Sequence, residues 1–349
     1  MELHGLSFEV PVTIASQDLA RPAVLQDLTV TRSSGLVFSH LDFSTVGAAL
    51  SSHGLRPQDR AKVTYNFQVK QSHHLTFSHL HVYGDPKGTL QTDISGLIVT
   101  DSHHITLADS EFEHLHNAFD HSRVDYLTVS RNRFHDLWDD SIRGGGSSFV
   151  VISGNRFSSN HMDASDDDHP DCIQFWTSNT TAIAHDITVI DNIYTRGHGH
   201  PVQGIFFRDE LTTLPFDKVT IKHNLIVGAL YNGILVFGAT NVDIEDNVVA
   251  RYGDQKSWLG IRVVHGAVVK NNRSSQFVNL LSTDVKDSGN RLQDFVSDDG
   301  AALVKAWGAD RGQRAADVGV QRDEAPRDAG RLQSFLGSAS AAGVAPQAG

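Results

Sequence analysis

Residues 126–134 read YLTVSRNRF, and this pattern of a short alternating strand followed by asparagine returns five more times along the chain. The later copies are FVVISGNRF at 149–157, DITVIDNIY at 186–194, KVTIKHNLI at 218–226, NVDIEDNVV at 241–249 and GAVVKNNRS at 266–274. Copies with a substitute for asparagine precede them at 36–41, 75–80 and 105–110. Internal repeats of this length are typical of solenoids, in which each repeat packs against its neighbours.

The length of the repeat decides between the classes of solenoid. The intervals between successive asparagines are 23, 37, 32, 23 and 25 residues, so the unit is 23 residues with insertions in some copies. Helical solenoids need a helical period that no copy contains, and a propeller blade needs about 40 residues. Alternating strands place side chains inward and outward in turn. We therefore predict an all-β fold, a right-handed single-stranded parallel β-helix forming a solenoid of about nine coils.

The repeat also predicts how the chain is divided. We expect residues 1–27 to form an N-terminal lead-in or cap, residues 28–292 the parallel β-helix, and residues 293–349 a partly disordered tail with a short helix near 331–336. Because asparagine bonds readily to backbone groups at tight turns, we expect its side chains to stack in a line from coil to coil. The members of this line are Asn132, Asn155, Asn192, Asn224, Asn247 and Asn272.

Composition narrows the classes of function. The formal net charge of -12 argues against a nucleic-acid partner. No apolar run approaches the roughly 18 residues that would span a bilayer. A single cysteine, Cys172, excludes an internal disulfide framework and is expected to pack as a small buried residue. The N-terminus lacks a basic region followed by an apolar stretch, so we expect no signal peptide in this chain.

A second strand leads each coil, and the insertions concentrate around two of these strands. The strands begin at Phe119, Ile142, Ile173, Ile205, Ile234 and Ile261. The extra residues lie on both sides of the strands that begin at Ile173 and Ile205. Solenoid loops that grow on one face usually build a binding surface. We therefore expect the functional site on the outer face of the strands that begin at Ile142, Ile173 and Ile205.

Two columns of polar residues cross this face. The position two residues before each strand start reads Asn117, Asp140, Asp171, Gln203, Asn232 and Leu259, and the outward position after it reads Asp120, Arg143, Gln174, Phe206, Leu235 and Arg262. Because neighbouring strands lie about 4.8 Å apart, Asp140 and Asp171 are predicted to titrate as a coupled pair. We predict both as catalytic carboxylates, with Arg143 beside them. The alternatives are aspartates that cap turns and a plain Arg143–Asp120 ion pair.

Further candidates adjoin these columns. His200 and Arg208 flank the strand at Ile205 and are predicted as catalytic, the histidine as a base or acid near neutral pH. Trp176 is placed to stack on a sugar ring. The predicted substrate-binding residues are Asp120, Gln174, Trp176, His198 and Gln203. The acidic run Asp166, Asp167 and Asp168 is a candidate Ca²⁺ site, with a solvated turn as the alternative. We read the repeated pairs His73-His74 and His103-His104 as stacked turn residues.

The coil pattern over residues 28–292 resembles the pectate-lyase-like β-helix superfamily, which includes polysaccharide lyases, mannuronan epimerases, polygalacturonase-type hydrolases and phage tailspikes. Asp171-Cys172-Ile173 and Gly197-His198-Gly199 are similar to the Asp-Asp-Cys-Ile and Gly-His-Gly elements of polygalacturonases, and Asp140 matches their third Asp. Gly260-Ile261-Arg262 resembles their Arg-Ile-Lys element, one coil later and without the Lys. Pro170 replaces one Asp of the pair. The run Asp168-His169-Pro170-Asp171 is similar to the epimerases' Asp-Pro-His motif in a different order.

The resemblance implies a carbohydrate-active enzyme that cleaves a polysaccharide in a groove along the helix. As a hydrolase, one of Asp140 and Asp171 serves as general acid and the other activates water. As a uronate lyase or epimerase, Arg143 or Arg208 neutralises the carboxylate and His200 takes the proton. The alternative is a non-catalytic, carbohydrate-binding phage tail protein or surface adhesin.

The expected partners and location follow from this interpretation. We expect a polysaccharide as partner, with no nucleic acid, no membrane and no required cofactor beyond optional Ca²⁺. The chain is expected to be a monomer, or a homotrimer if it is a phage tail protein. We expect an extracellular or periplasmic location, or the virion tail.

Overall fold

A computed structural model describes residues 1–50, 55, 57–162, 169–293, 295–296 and 300–308. In these ranges parallel strands stack into coils, and each coil contributes a strand to each of three faces. The first face contains β1 (Glu2–His4), β4 (Leu28–Thr31), β7 (Tyr65–Lys70), β14 (Ile142–Gly145), β17 (Asp171–Trp176), β20 (Gln203–Arg208) and β27 (Phe277–Leu280). The second contains β2 (Ser7–Ala15), β5 (Ser34–Ser39), β8 (His73–Ser78), β15 (Val150–Ser153), β18 (His185–Ile190), β21 (Phe216–Lys222) and β28 (Thr283–Ser288).

Four long strands run through both of these faces, namely β10 (Ser95–Ala108), β12 (Phe119–Ser130), β23 (Asn232–Glu245) and β25 (Trp258–Lys270). The third face is a separate sheet of 11 short strands among the described residues. Its strands are β3 (Ala23–Leu25), β6 (Leu41–Ser44), β9 (His81–Tyr83), β11 (Glu111–Glu113), β13 (Arg133–His135), β16 (Arg156–Ser158), β19 (Ile193–Thr195), β22 (Leu225–Val227), β24 (Val248–Ala250), β26 (Arg273–Ser274) and β29 (Arg291–Leu292). The predicted parallel β-helix is confirmed.

The predicted line of asparagines is present at the turn between the second and third faces. Each side-chain oxygen accepts a backbone N–H from the coil before it, as from Asn155 N to Asn192 Oδ1 at 2.9 Å. Each amide also donates to the next oxygen, as from Asn192 Nδ2 to Asn224 Oδ1 at 3.0 Å. Asn290 extends the line at one end. The ladder therefore joins consecutive coils through buried side chains as well as through the strands.

The core is the inward column of each face. Aromatic rings stack across coils, with centroids 4.9 Å apart for Phe38 and Phe77 and 4.6 Å apart for Phe175 and Phe207. A smaller apolar cluster lies outside the third face, where Val304 and Trp307 of a helix over residues 301–308, α2, pack on Leu225 and Val248. None of the helices in the described ranges is long and apolar enough to cross a membrane.

The ends of the solenoid differ from the predicted division of the chain. Residues assigned to a lead-in contribute β1, β2 and β3, which pair in parallel with β4, β5 and β6 and so form a further coil. The long insertion after β6 contains α1 (Pro57–Val63). The helix predicted near 331–336 and the tail beyond 308 lie outside the described residues.

The predicted register is wrong at one coil. Ile234 pairs with Leu259, and not with Ile261, because the pairing of β23 with β25 shifts between Asn232 and Ile234. Arg262 therefore lies in register with Phe237 rather than Leu235. Its guanidinium carbon is 4.7 Å from the centre of the Phe237 ring.

Candidate active site

A ladder of side chains leads into the first-face strands, as the sequence columns predict. Asn117 Oδ1 accepts the backbone N–H of Asp140 at 3.1 Å, and Asp140 Oδ1 accepts that of Asp171 at 2.7 Å. Asp171 lies in register with Gln203, whose side-chain oxygen accepts from Asn232. Asp140 and Asp171 thus occupy one column on adjacent coils.

Arg143 joins three carboxylates around this ladder. Its Nε donates to Asp120 Oδ2 at 2.9 Å, and its Nη1 lies 3.5 Å from Asp140 Oδ2 and 3.9 Å from Asp139 Oδ2. The hydroxyl of Tyr65 donates to the same Asp120 oxygen. The predicted Arg143–Asp120 pair is therefore one part of a larger network.

Asp139 is the carboxylate of this group whose negative charge is balanced most fully by neighbouring side chains. Its Oδ2 lies 3.6 Å from Lys62 Nζ, which α1 supplies, and 3.5 Å from His116 Nε2. Burial alone would raise the pKa of Asp139, but His116, Arg143 and Lys62 lower it to about 2. Asp139 is therefore ionised at neutral pH.

The two ladder aspartates are shifted in the opposite direction. Burial raises the pKa of Asp171 well above its ordinary value, and the Asp140 charge raises it further. Burial and then the neighbouring Asp139 raise the pKa of Asp140 in the same way. Asp171 Oδ2 accepts from Gln174 Nε2 at 2.6 Å, whereas Oδ1 has no hydrogen-bond partner among the described residues. Environment thus raises the pKa of both ladder aspartates and lowers that of the adjacent Asp139.

The side chains that reach solvent here are those around the buried pair. Arg143, Gln174 and Trp176 are partly exposed. The Arg143 guanidinium carbon lies 5.8 Å from the centre of the Trp176 ring. Arg208 is exposed and lies in register with Trp176. Gln203, predicted to bind substrate, is 1% exposed and belongs to the ladder beneath the surface.

The turn that contains His198 and His200 is placed differently from the prediction. The N–H of His200 donates to Asn160 O at 2.8 Å, and Nδ1 of its ring accepts the N–H of Met162. His198 Nε2 lies 3.4 Å from Asp136 Oδ1. Gly199 fixes this placement, because a Cβ there would lie 2.3 Å from Asn160 O. The turn therefore packs on the segment after β16, at the third-face end of the inserted loops, rather than on the Asp140–Asp171 pair.

Several residues of the site have no signal in the repeat. Lys62, Tyr65 and His116 reach it from an inserted helix and from earlier coils, and only Asp139 adjoins a predicted residue. His169 Nδ1 lies 3.8 Å from Asp171 Oδ2. Cys172 is buried, and burial raises the pKa of its thiol well above the ordinary value, as expected for a packing residue. The predicted Ca²⁺ ligands Asp166, Asp167 and Asp168 lie outside the described residues.

Comparison with known proteins supports the architecture. The profile of the family described as "Right handed beta helix region" matches residues 65–249, more than half of the 349 residues. No curated protein matches the sequence significantly.

Among solved structures, PfbA, a surface adhesin of Streptococcus pneumoniae, is 11% identical with a TM-score of 0.49 over 75% of this chain, which spans 62% of that one. Endo-xylogalacturonan hydrolase from Aspergillus tubingensis is 12% identical with a TM-score of 0.53, covering 82% of this chain and 84% of that one. A C387A mutant of DFA-IIIase from Arthrobacter chlorophenolicus A6 in complex with DFA-III is 10% identical with a TM-score of 0.50, covering 82% of this chain and 73% of that one. Likeness at these identities concerns the fold alone.

Proposed function

Because this chain belongs to the right-handed β-helix family, we propose that its first face binds a polysaccharide and that the Asp140–Asp171 pair hydrolyses a glycosidic bond. One observation carries the proposal: two carboxyl groups on adjacent coils both have raised pKa values, and one oxygen of Asp171 has no hydrogen-bond partner among the described residues. The solved structures named above include a polysaccharide hydrolase with this fold.

The network assigns different roles to the carboxyl groups. Asp171, the more deeply enclosed, has a pKa that burial raises, and it is the general acid that donates its proton to the leaving oxygen. Asp140 is the partner that gives up its proton, with its negative charge stabilised by Arg143, and then either activates water or attacks the sugar carbon. Asp171 is 0% exposed, so substrate must displace the Gln174 amide from Asp171 Oδ2 to reach it. Trp176 offers an apolar ring face beside the pair for stacking on a sugar.

The contacts favour hydrolysis over lyase or epimerase chemistry. A lyase needs a cation that neutralises the substrate carboxylate, but the Arg143 guanidinium already contacts Asp120, Asp139 and Asp140. A lyase also needs a base, but Nδ1 of His200, the predicted base, already accepts the N–H of Met162. Arg208 is exposed and lies in register with Trp176, so it is the candidate for binding an acidic sugar.

A second candidate function is non-catalytic carbohydrate binding, as in a phage tail protein or a surface adhesin. The ladder itself favours it, because Asp140 accepts a backbone N–H in the same way that Asn117 does. In that case the aspartates are structural and Trp176 and Arg208 bind the ligand. A tail protein would be a homotrimer, whereas an enzyme of this kind would act as a monomer. Either function places the protein where polysaccharides occur, outside the cell, in the periplasm or on a virion.

The test is incubation with a panel of acidic and neutral polysaccharides, with product reducing ends and unsaturated-product absorbance read together. Hydrolysis yields reducing ends without absorbance. Asp171→Asn and Asp140→Asn should each fold and lose about 10²–10⁴-fold in turnover, the range expected for a general acid or base. Asp284→Asn, which changes an exposed carboxylate on β28, is the matched control.

Parallel assays with added Ca²⁺ and with a chelator test whether the activity depends on the optional Ca²⁺. Full activity in both folded variants would overturn the carboxylate mechanism. Binding of a polysaccharide without any product would establish the non-catalytic function.

A further inference from the structure

The outward side of the third face carries a group of carboxylates and imidazoles that the proposed hydrolysis does not use. We call it the third-face cluster, and its members are His81 on β9, Glu111 and Glu113 on β11, His135 on β13 and the following Asp136. Glu111 lies in register with His81, and Glu113 with His135. Because strand side chains alternate, these residues share one surface on three adjacent coils.

The centre of the cluster is the His135 ring. Its Nε2 lies 3.1 Å from Glu111 Oε1 and 3.7 Å from Glu113 Oε2, while its Nδ1 lies 2.6 Å from Asp136 Oδ2. His135 is 5% exposed, so the ring is held in place by packing. His81 Nε2 lies 2.8 Å from the other Glu113 oxygen, and His114 Nε2 lies 3.6 Å from Glu113 Oε2.

This arrangement requires a cation between His135 and the glutamates. Asp136 is an acceptor for Nδ1–H, and a neutral imidazole that donates from Nδ1 has a lone pair on Nε2. That lone pair would then face two negative oxygens, so either a proton or a metal ion must lie between them. A histidine whose second nitrogen donates to a carboxylate is the usual arrangement of a metal ligand.

The distances from His135 Nε2 to the two glutamates and the net charge of the cluster fit a small divalent ion. Zn²⁺ binds imidazole nitrogen and carboxylate oxygen at about 2.0–2.2 Å in tetrahedral geometry, so that its ligands lie about 3.3 Å from one another. The two separations from His135 Nε2 bracket that value. With neutral imidazoles, three carboxylates and Arg133, whose Nη1 is 2.6 Å from Glu111 Oε1, leave two net negative charges. This charge matches that of a divalent cation.

We propose that the third-face cluster binds a divalent transition metal of the Zn²⁺ type through His135 Nε2, Glu111 and Glu113, with Asp136 orienting the histidine and His114 as the nearest further donor. Imidazole ligation separates this site from a Ca²⁺ site, because Ca²⁺ takes oxygen ligands. The ion joins β11 to β13. It also fixes the start of the turn that leads from Asp136 to Asp139 and Asp140, so its role is structural.

A second histidine group serves as an internal comparison. His73 and His74 approach Nδ1 to Nδ1 at 2.9 Å, as do His103 and His104, and the two pairs stack on adjacent coils. His74, His103 and His104 are exposed, and no carboxylate fixes a tautomer of any of these rings in the contacts of the described residues. Adventitious metal binding to surface imidazoles would occur here.

The experiment is titration of the full-length, chelator-treated protein with Zn²⁺ alone, followed by calorimetry, with Co²⁺ absorption as a probe of the coordination geometry. We expect one tight site, a tetrahedral Co²⁺ spectrum, no competition from Ca²⁺, and a melting temperature that rises with Zn²⁺ concentration. Glu113→Gln should weaken binding at least tenfold. Asp136→Asn should weaken it about 10–100-fold, as removal of an orienting partner does. His103→Ala should leave it unchanged.

His135→Ala removes the central ligand, but its ring is buried and the variant can fail to fold. Glu113→Gln therefore carries the test, since this side chain is partly exposed and nearly isosteric. Zn²⁺ binding that survives Glu113→Gln but disappears in His103→Ala would overturn the proposal, as would the absence of a tight site.

Discussion

Asp171 is a carboxyl group without contact to solvent, with one oxygen bound by an amide and the other without a hydrogen-bond partner among the described residues. Ionising such a group costs free energy, because burial disfavours the charged form. Buried groups with shifted pKa values of this kind cluster at functional sites. A structural aspartate in a turn would gain from a full set of donors. The incomplete set is therefore what distinguishes Asp171 from the asparagines that occupy comparable ladder positions.

Asp171→Asn is expected to stabilise the fold at neutral pH. Below the unfolded-state pKa both states are protonated and the variant gains nothing. As pH rises the unfolded chain ionises while the raised pKa keeps the folded group protonated, so the native protein loses stability until the folded-state pKa is reached. The melting-temperature difference between variant and native protein should be near zero well below pH 3.8, the unfolded-state pKa, and grow toward pH 7. Asp284→Asn, measured alongside, should show no such growth, and a flat difference for Asp171→Asn would mean that Asp171 is not a buried neutral acid.

Some residues of the site could be found from the repeat in the sequence, and others could not. Asp140 and Asp171 could be aligned by counting, because each lies two residues before the predicted start, at Ile142 or Ile173, of the equivalent strand on its own coil. Lys62 and Tyr65 could not, because they come from an inserted helix and the strand after it, with no repeat position to align. Arg262 was misplaced because Leu259 and Ile261 are both apolar and both fit the alternation, so only the backbone shift at Asn232–Ile234 decides between them.

At the scale of the element, the turn before each third-face strand depends on two successive residues. The residue before each ladder asparagine has a positive φ, such as 55° at Arg131 and 59° at Asp191, whereas the asparagines do not. The structure shows that the asparagine is required for its amide, which bonds to backbone and side chain on the neighbouring coil. The line of asparagines could be predicted from the sequence. That the preceding residue adopts the positive φ while the asparagine supplies the amide could not.

Asn192→Ala is expected to destabilise the protein by about 1–3 kcal/mol, the cost of leaving a buried polar group unsatisfied. The change removes the oxygen that accepts Asn155 N at 2.9 Å and the amide that donates to Ile152 O at 2.9 Å. Urea unfolding monitored by circular dichroism measures the loss. Asn290→Ala makes the same change at the partly exposed end of the ladder and should cost less. Equal costs at both positions would mean that burial of the ladder is unimportant.

At the scale of the whole molecule, each coil contacts only its neighbours, so stability should be local. In a solenoid the free energy of unfolding is approximately a sum over repeats and the interfaces between them. The last coil has little cover among the described residues: Leu281 is 83% exposed and Leu292 is 78% exposed. A central coil such as that of β18 has strands on both sides. The same change should therefore have different consequences at the two places.

Ile187→Asp and Val285→Asp place a carboxylate at equivalent inward positions of β18 and β28. Ile187 is 0% exposed between Val150 and Val219, so an unpaired charge there is severely destabilising and disrupts the coils on both sides. Val285 is only partly buried and has a neighbouring coil on one side, at Ala267. Hydrogen exchange read by mass spectrometry should show lost protection spreading across the centre of the solenoid for Ile187→Asp and confined to β26–β29 for Val285→Asp. Ile187→Val, which costs about 0.5–1.5 kcal/mol, controls for the loss of packing alone. Global loss of protection in Val285→Asp would show that the coils unfold as one cooperative unit, and the nearest-neighbour description would then be wrong.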